Sequence, residues 1–237
     1  SPVNPVWFTP HVPLGKSRVE TLCLLVLGMI SARTVNLPHI AAERPARAKV
    51  ASTYRRLQRF FQQVPLPDDW SVGFVMSLIG NPSRWYLCLD RTNWKIGKSD
   101  VNVLVLAVVT ERYRVPLMWT FLNHSGNSTT RQRTALMERY LARFNASTVR
   151  MLLADREFIG QEWFNFLKDK NIPFAIRVKE DQLIVVEGRE YALRSYLSRC
   201  KGERGFTATL PAKAGQPALE LHFGAHHLKG GELLIVA

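Results

Sequence analysis

Hydrophobic positions recur at three- and four-residue steps through the first eighty residues, then give way to short apolar runs and alternation. Ser17-Arg18-Val19-Glu20 has the form of a capping box, in which hydroxyl and carboxylate each serve the other's backbone amide. The helix it would open, over 18–32, is apolar nearly all round and so belongs in a core. A second helix is predicted over 47–64, with Val50, Tyr54, Leu57, Phe61 and Val64 on its apolar stripe and Lys49, Arg55, Arg56 and Arg59 on its other faces. Pro65 and Pro67 stop it. Asp68 or Asp69 then caps a third helix, closed near Ile79 by Gly80-Asn81-Pro82. Residues 1–16, with four prolines, are expected to be extended.

From residue 83 the period shortens. Segments 85–90, 101–110 and 114–122 read as strands, and the unbroken run Val103 to Val109 suits a central one. Only Glu111-Arg112-Tyr113 separates the second from the third, so these two form a hairpin. Next come a helix over 129–144 (Leu136, Met137, Tyr140, Leu141 and Phe144 on one face), a strand at 149–154, a helix at 160–170 (Trp163, Phe164 and Leu167 inward) and a strand at 173–178. Three strands followed by helix, strand, helix, strand is the order of an α/β, ribonuclease-H-like mixed sheet. Beyond Asp181 the chain is β-rich: a hairpin of 183–186 and 191–193 around Glu187-Gly188, then strands at 206–210, 219–223 and 233–236. The predicted organisation is a helical region over 1–80, whose basic faces suit a DNA-binding module, a ribonuclease-H-like core over 81–180, and a β-rich segment over 181–237.

Composition narrows the class of partner. The 237 residues are 46% hydrophobic, enough for a core, yet Lys and Arg outnumber Asp and Glu by 32 to 19. Such an excess favours a polyanion, most often nucleic acid, over a small neutral substrate. Residues 1–80 carry nine basic and four acidic side chains, 81–180 sixteen and nine, and 181–237 seven and six, so the phosphate-binding potential lies in the first two segments. Cys23, Cys88 and Cys200 are far apart with no paired spacing, which suits reduced, buried thiols in a cytosolic protein. The longest apolar run, Thr21 to Ala32, is too short to span a bilayer, and no signal peptide is visible. The expected location is the cytoplasm.

The candidate chemistry lies at two strand ends. Trp85-Tyr86-Leu87-Cys88-Leu89 runs into Asp90, and Met151-Leu152-Leu153-Ala154 into Asp155. In the strand order above, the first and fourth strands are neighbours, so both carboxylates emerge at one place. At 4 Å and an effective dielectric of about 20 their repulsion is about 4 kcal/mol, which a proton or a cation must relieve. Hard oxygen ligands with no His or Cys beside them favour Mg²⁺ or Mn²⁺ over zinc. Two such ions can activate a water or 3′-hydroxyl and stabilise the leaving oxygen of a phosphodiester. His222, His226 and His227 have metal-like spacing, but no cysteine or fourth ligand accompanies them.

CLDRTNWKIG, the loop NHSGNS with Arg131 downstream, and LLADREFIGQEWFNFLKDKNIPFAIRVK resemble the catalytic domain of bacterial insertion-sequence transposases, the DDE enzymes of the IS-four-like group. The resemblance covers about 17–237 and is most distinctive over 150–179. It implies a cut-and-paste transposase that works as a homodimer on double-stranded DNA. Such an enzyme uses Mg²⁺ to cleave at terminal inverted repeats and to join the freed 3′-hydroxyls to target DNA. Asp90 matches the family's first catalytic aspartate and Asp155 its second. The family's third carboxylate is a glutamate on a helix after the β-rich insertion, within a pattern of Tyr, Arg, Glu and Lys. No such pattern occurs here: Tyr191 to Arg194 is followed by Leu197-Ser198 where the glutamate would stand. Glu157 shares a turn with Asp155 and is expected at most to support the site. The expectation is a chain that stops inside the insertion and is catalytically crippled alone while still binding DNA. The alternative is a non-catalytic, DNA-binding or regulatory product. Candidate phosphate contacts are Arg55, Arg56, Arg59, Lys95, Lys98, Arg156, Arg177 and Lys179, and Trp94 is either a base-stacking surface or an apolar contact.

Overall fold

A computed structural model of the protein describes residues 10–44, 49–199, 202–213, 215–228 and 232–237. The extended segment expected at 1–9, the helix start expected at Arg47 and the buried state expected of Cys200 lie outside the described residues. The chain forms two compact units, 1–81 and 82–237.

The first unit is helical: α1 (Lys16–Ala32), α2 (Leu37–Ala42), α3 (Val50–Gln63) and α4 (Val72–Leu78). Its core has two parts, one of Val12, Val19, Leu22, Cys23 and Phe60, the other of Leu25, Ile40, Ala41 and Leu57. Three local expectations change. α1 begins at Lys16 with Gly15 as N-cap in an extended conformation, so Ser17 already lies inside the first turn and no capping box forms. Its carbonyl instead accepts from the Thr21 hydroxyl at 2.8 Å and from Arg56 at 2.9 Å. α3 is turned by about one residue from the expected stripe. Thr53, Leu57 and Phe60 are buried, whereas Phe61 is 60% exposed, because 53, 57 and 60 also keep helical spacing and Phe60 is the ring that reaches α1. Asp68 and Asp69 occupy a turn, and α4 starts later, with Ser71 as N-cap and no side-chain cap bond.

The second unit is built on strands. β1 (Trp85–Ile96), β2 (Ser99–Val109), β3 (Arg114–Leu122), β4 (Val149–Ala154) and β5 (Phe174–Ile176) form one mixed sheet in the order β3-β2-β1-β4-β5. β1 pairs antiparallel with β2 and parallel with β4, and β4 pairs parallel with β5. Helices α5 (Thr130–Leu141) and α6 (Gln161–Asp169) pack on the face that carries Leu87 and Leu89. There the Trp85 ring meets Phe144 edge-on at 5.5 Å, and Phe164 stacks on Phe174 at 5.3 Å. β1 runs six residues past Asp90, where a basic loop was expected. Its apolar run marks only the part covered on both edges: parallel pairing with β4 stops at Leu89, while pairing with β2 continues to Ile96. Gly97, at φ 64°, and Lys98 make the two-residue turn into β2.

β6 (Leu183–Val186), β7 (Arg189–Ala192), β8 (Glu203–Leu210), β9 (Leu219–His227) and β10 (Leu233–Val236) form a second sheet, ordered β10-β9-β8-β6-β7. Glu187 and Gly188 turn β6 into β7 with positive φ at both, as a type I′ turn requires, and Leu193–Tyr196 add a short helix, α7. β10 has two partners. One edge pairs with β9, and the other hydrogen-bonds the end of β5 and the residues after it, through Ile176 and Ala237 in both directions and from the Val178 amide to the Ile235 carbonyl. Among the described residues no helix is long and apolar enough to cross a membrane.

Candidate active site across β1, β4 and β5

Register places the charges. Cys88 pairs with Leu153 and Leu153 with Ala175; the next row is Leu89, Ala154 and Ile176. One step further stand Asp90, Asp155 and Arg177, with the Arg177 amide donating to the Ala154 carbonyl at 2.9 Å. Side chains alternate along a strand, so this charged row shares its face with Cys88, Leu153 and Ala175 and turns away from α5 and α6. Adjacent strands lie roughly 4.8 Å apart, which brings the two aspartates side by side. All six residues, with Arg114 and Val236, line one open cleft of about 390 Å³.

A cation stands at each end of the acid pair. Arg114, from β3, approaches Asp90 to 3.9 Å with both side chains exposed, and Arg177 ends the row while bonding Glu232. Two carboxylates thus sit between two guanidinium groups. The other Asp90 oxygen accepts from the Arg91 amide at 2.8 Å. Asp155 is the N-cap of a 3-10 turn, Arg156–Phe158, but its carboxylate makes no cap bond and remains directed at the cleft. Burial raises the Cys88 thiol above its usual range; Arg114 opposes this and Asp90 adds to it.

Behind the row lies a polar network that the sequence did not reveal. The Arg91 guanidinium grips Glu157 through Nε, at 3.2 and 3.3 Å, and through Nη2 at 3.1 Å, with both side chains largely buried. Its Nη1 reaches Asn102 Oδ1 at 3.3 Å, and Asn102 Nδ2 donates to the carbonyls of His124 and Gly126, both at 2.9 Å. Arg133 is 5% exposed on the apolar face of α5. It donates to the Ser128 hydroxyl at 3.0 Å, the Ser128 carbonyl at 2.7 Å and the Glu157 carbonyl at 3.0 Å, and lies over the Phe158 ring. Desolvation lowers its pKa from the ordinary arginine value, and Glu157 counters the shift. Glu157 therefore faces Arg91, away from the aspartate cleft.

The remaining candidates are spread out. Arg156 and Lys179, both exposed, line a second cleft with Asn127 and Gln182. Lys95 and Lys98 are exposed at the far end of the β1–β2 hairpin, next to Trp94, which is 54% exposed. In the helical unit Arg55 and Arg59 are exposed, whereas Arg56 is tied down: Nε donates to Thr21 Oγ1 at 2.7 Å and Nη2 lies 3.6 Å from Glu20. No motif or spacing in the sequence marks Arg114, Arg91 or Asn102 as part of the site. Only Arg133 left a trace, as a charged residue at a core position of the α5 pattern.

Hard oxygen donors side by side suit a hard divalent cation, so the donor set fits Mg²⁺ or Mn²⁺. Among the described residues no three His, Cys, Asp or Glu side chains gather into a metal-binding group. No curated protein matches the chain. The family model described as the transposase DDE domain matches residues 81–214, more than half of the sequence and all of the strands that carry the charged row.

Proposed function

Because this chain belongs to the transposase DDE-domain family, we propose that Asp90 and Asp155 hold a divalent cation for phosphodiester cleavage and strand transfer at transposon ends. The observation that carries this reading is the shared row: two carboxylates one step beyond the paired ends of β1 and β4, on the face turned away from α5 and α6, open to a cleft. When bound there, Mg²⁺ or Mn²⁺ would activate a water or 3′-hydroxyl and neutralise charge on the phosphodiester. The protein's own groups do the rest. Arg114 and Arg177 flank the acids and can meet non-bridging phosphate oxygens as the strand enters. Arg156 and Lys179 receive the neighbouring phosphates, and Lys95 and Lys98 lengthen the basic track along the hairpin. On the helical unit, Arg55 and Arg59 are the DNA-facing pair, while Arg56 joins α1 to α3. The substrate is double-stranded DNA, at terminal inverted repeats and at a target site. The working form is a homodimer assembled on DNA in the bacterial cytoplasm, at the nucleoid.

Two aspartates make an incomplete set for two-ion chemistry, and no third acid joins them among the described residues. Alone, this chain is expected to bind DNA and not to cut it, which is also what a regulatory product would do. The test is Mn²⁺ binding followed by paramagnetic broadening. Broadening should centre on Asp90 and Asp155 and vanish in Asp90→Asn; broadening elsewhere, or none, would sink the assignment.

A further inference from the structure

We propose that Arg91 and Glu157 form a strap that sets the spacing of Asp90 and Asp155, making both positioning residues for the cation site. This rests on the reading of those aspartates as its ligands. The ladder between β1 and β4 ends one row short of them, at Leu89 and Ala154, so backbone pairing does not fix the acids to one another. The next connection is the strap. Arg91 directly follows Asp90, Glu157 is two residues past Asp155, and the guanidinium holds both carboxylate oxygens. A two-toothed grip fixes orientation as well as distance. Each end is anchored again: Arg91 Nη1 to Asn102, the Glu157 carbonyl to Arg133, and Phe158 fully buried one residue on. The Asp90 carboxylate is itself tied to the Arg91 amide. The turn thus sends Asp155 to the cleft and Glu157 to the strap, and a shift of either strand end must stretch the Arg91–Glu157 pair. A largely buried ion pair adds little stability over apolar packing, so its consequence here is geometry.

The test uses the whole 237-residue chain and two readouts. Mn²⁺ affinity is measured by electron paramagnetic resonance for the unaltered protein, Asp90→Asn, Glu157→Gln and Tyr140→Phe, the last a control for lost stability on the helical side of the sheet. Separately, Asp90→Cys with Asp155→Cys is timed for disulfide closure with and without Glu157→Gln, with Cys23, Cys88 and Cys200 replaced by serine. Strands roughly 4.8 Å apart are within disulfide reach, so closure reports the spacing without metal. Glu157→Gln is expected to weaken Mn²⁺ binding about tenfold and to slow closure, while unfolding stays cooperative and Tyr140→Phe binds as the unaltered chain does. Unchanged affinity and closure in Glu157→Gln, or an equal loss in Tyr140→Phe, overturns the strap. If Asp90→Asn binds Mn²⁺ as well as the unaltered chain, the cation reading fails, and closure alone decides the spacing. Should Glu157→Gln not fold, Arg91→Lys keeps the charge without the fork and is read by the same outcomes.

Discussion

Gly28 shows how one missing atom can hold two helices together. A Cβ there would stand 2.6 Å from Ile40 Cγ2 and 3.0 Å from the Ile40 carbonyl, and Ile40 is fully buried in α2. Alanine would gain up to about 1 kcal/mol of helix propensity, but neither the buried side chain nor the backbone opposite can yield cheaply. Gly28→Ala is therefore expected to destabilise the helical unit by roughly 1–3 kcal/mol in denaturant titration. Tyr140 supplies a pH dependence. Burial pushes its phenol up to about 12, against a hydrogen bond to Thr148 at 2.8 Å that favours the ionised form. Between pH 10 and 12 the unfolded chain has shed this proton and the folded chain has kept it, so stability is intact below 10 and falls as pH rises, by at most roughly 1.4 kcal/mol per unit. Tyr140→Phe should cost about 1 kcal/mol at neutral pH and flatten that alkaline fall, as the difference between two melting series. Such buried polar and charged side chains were the least legible in the sequence. Arg133 belongs to a residue type that is rarely buried unless paired, and Arg91 and Glu157 are separated along the chain with no local pattern to join them.

At the scale of elements, periodicity identified most helices and strands, and the order of strands placed Asp90 beside Asp155. What it misjudged were ends. The pattern ends β1 at Asp90 because Arg91, Asn93 and Lys95 look like loop residues, yet they continue an antiparallel ribbon opposite Leu104, Asn102 and Asp100 of β2. The sequence pattern points to a capping box at Ser17, where Gly15 takes the cap conformation, while a complete one exists at Thr129. There the Gln132 amide donates to the threonine hydroxyl oxygen, and the Gln132 side chain accepts from the Thr129 amide at 2.8 Å. Thr129→Ala is expected to cost about 1 kcal/mol, seen as a lower denaturation midpoint with an unchanged slope. Since α5 carries Arg133, fraying its first turn should also speed hydrogen exchange at Ser128 and Glu157.

Over the whole molecule, the formal charge of +13 concerns association more than folding. If the basic residues of the helical unit and of the strand unit both meet phosphates, the logarithm of DNA affinity should fall linearly with the logarithm of salt. Six or more contacts would mean a loss of about a thousandfold or more between 50 and 200 mM. A shallow slope in a filter-binding titration would leave only a few contacts. Sequence alone did not show how the β-rich segment joins the sheet, because short strands of mixed polarity do not name their partners. β10 is that joint. Mechanically it is a splice: load on β9 passes through one strand into the backbone of Ile176 and Val178, on either side of Arg177 at the end of the acid row. Anything that grips the second sheet therefore has a lever on the spacing of charge in the first.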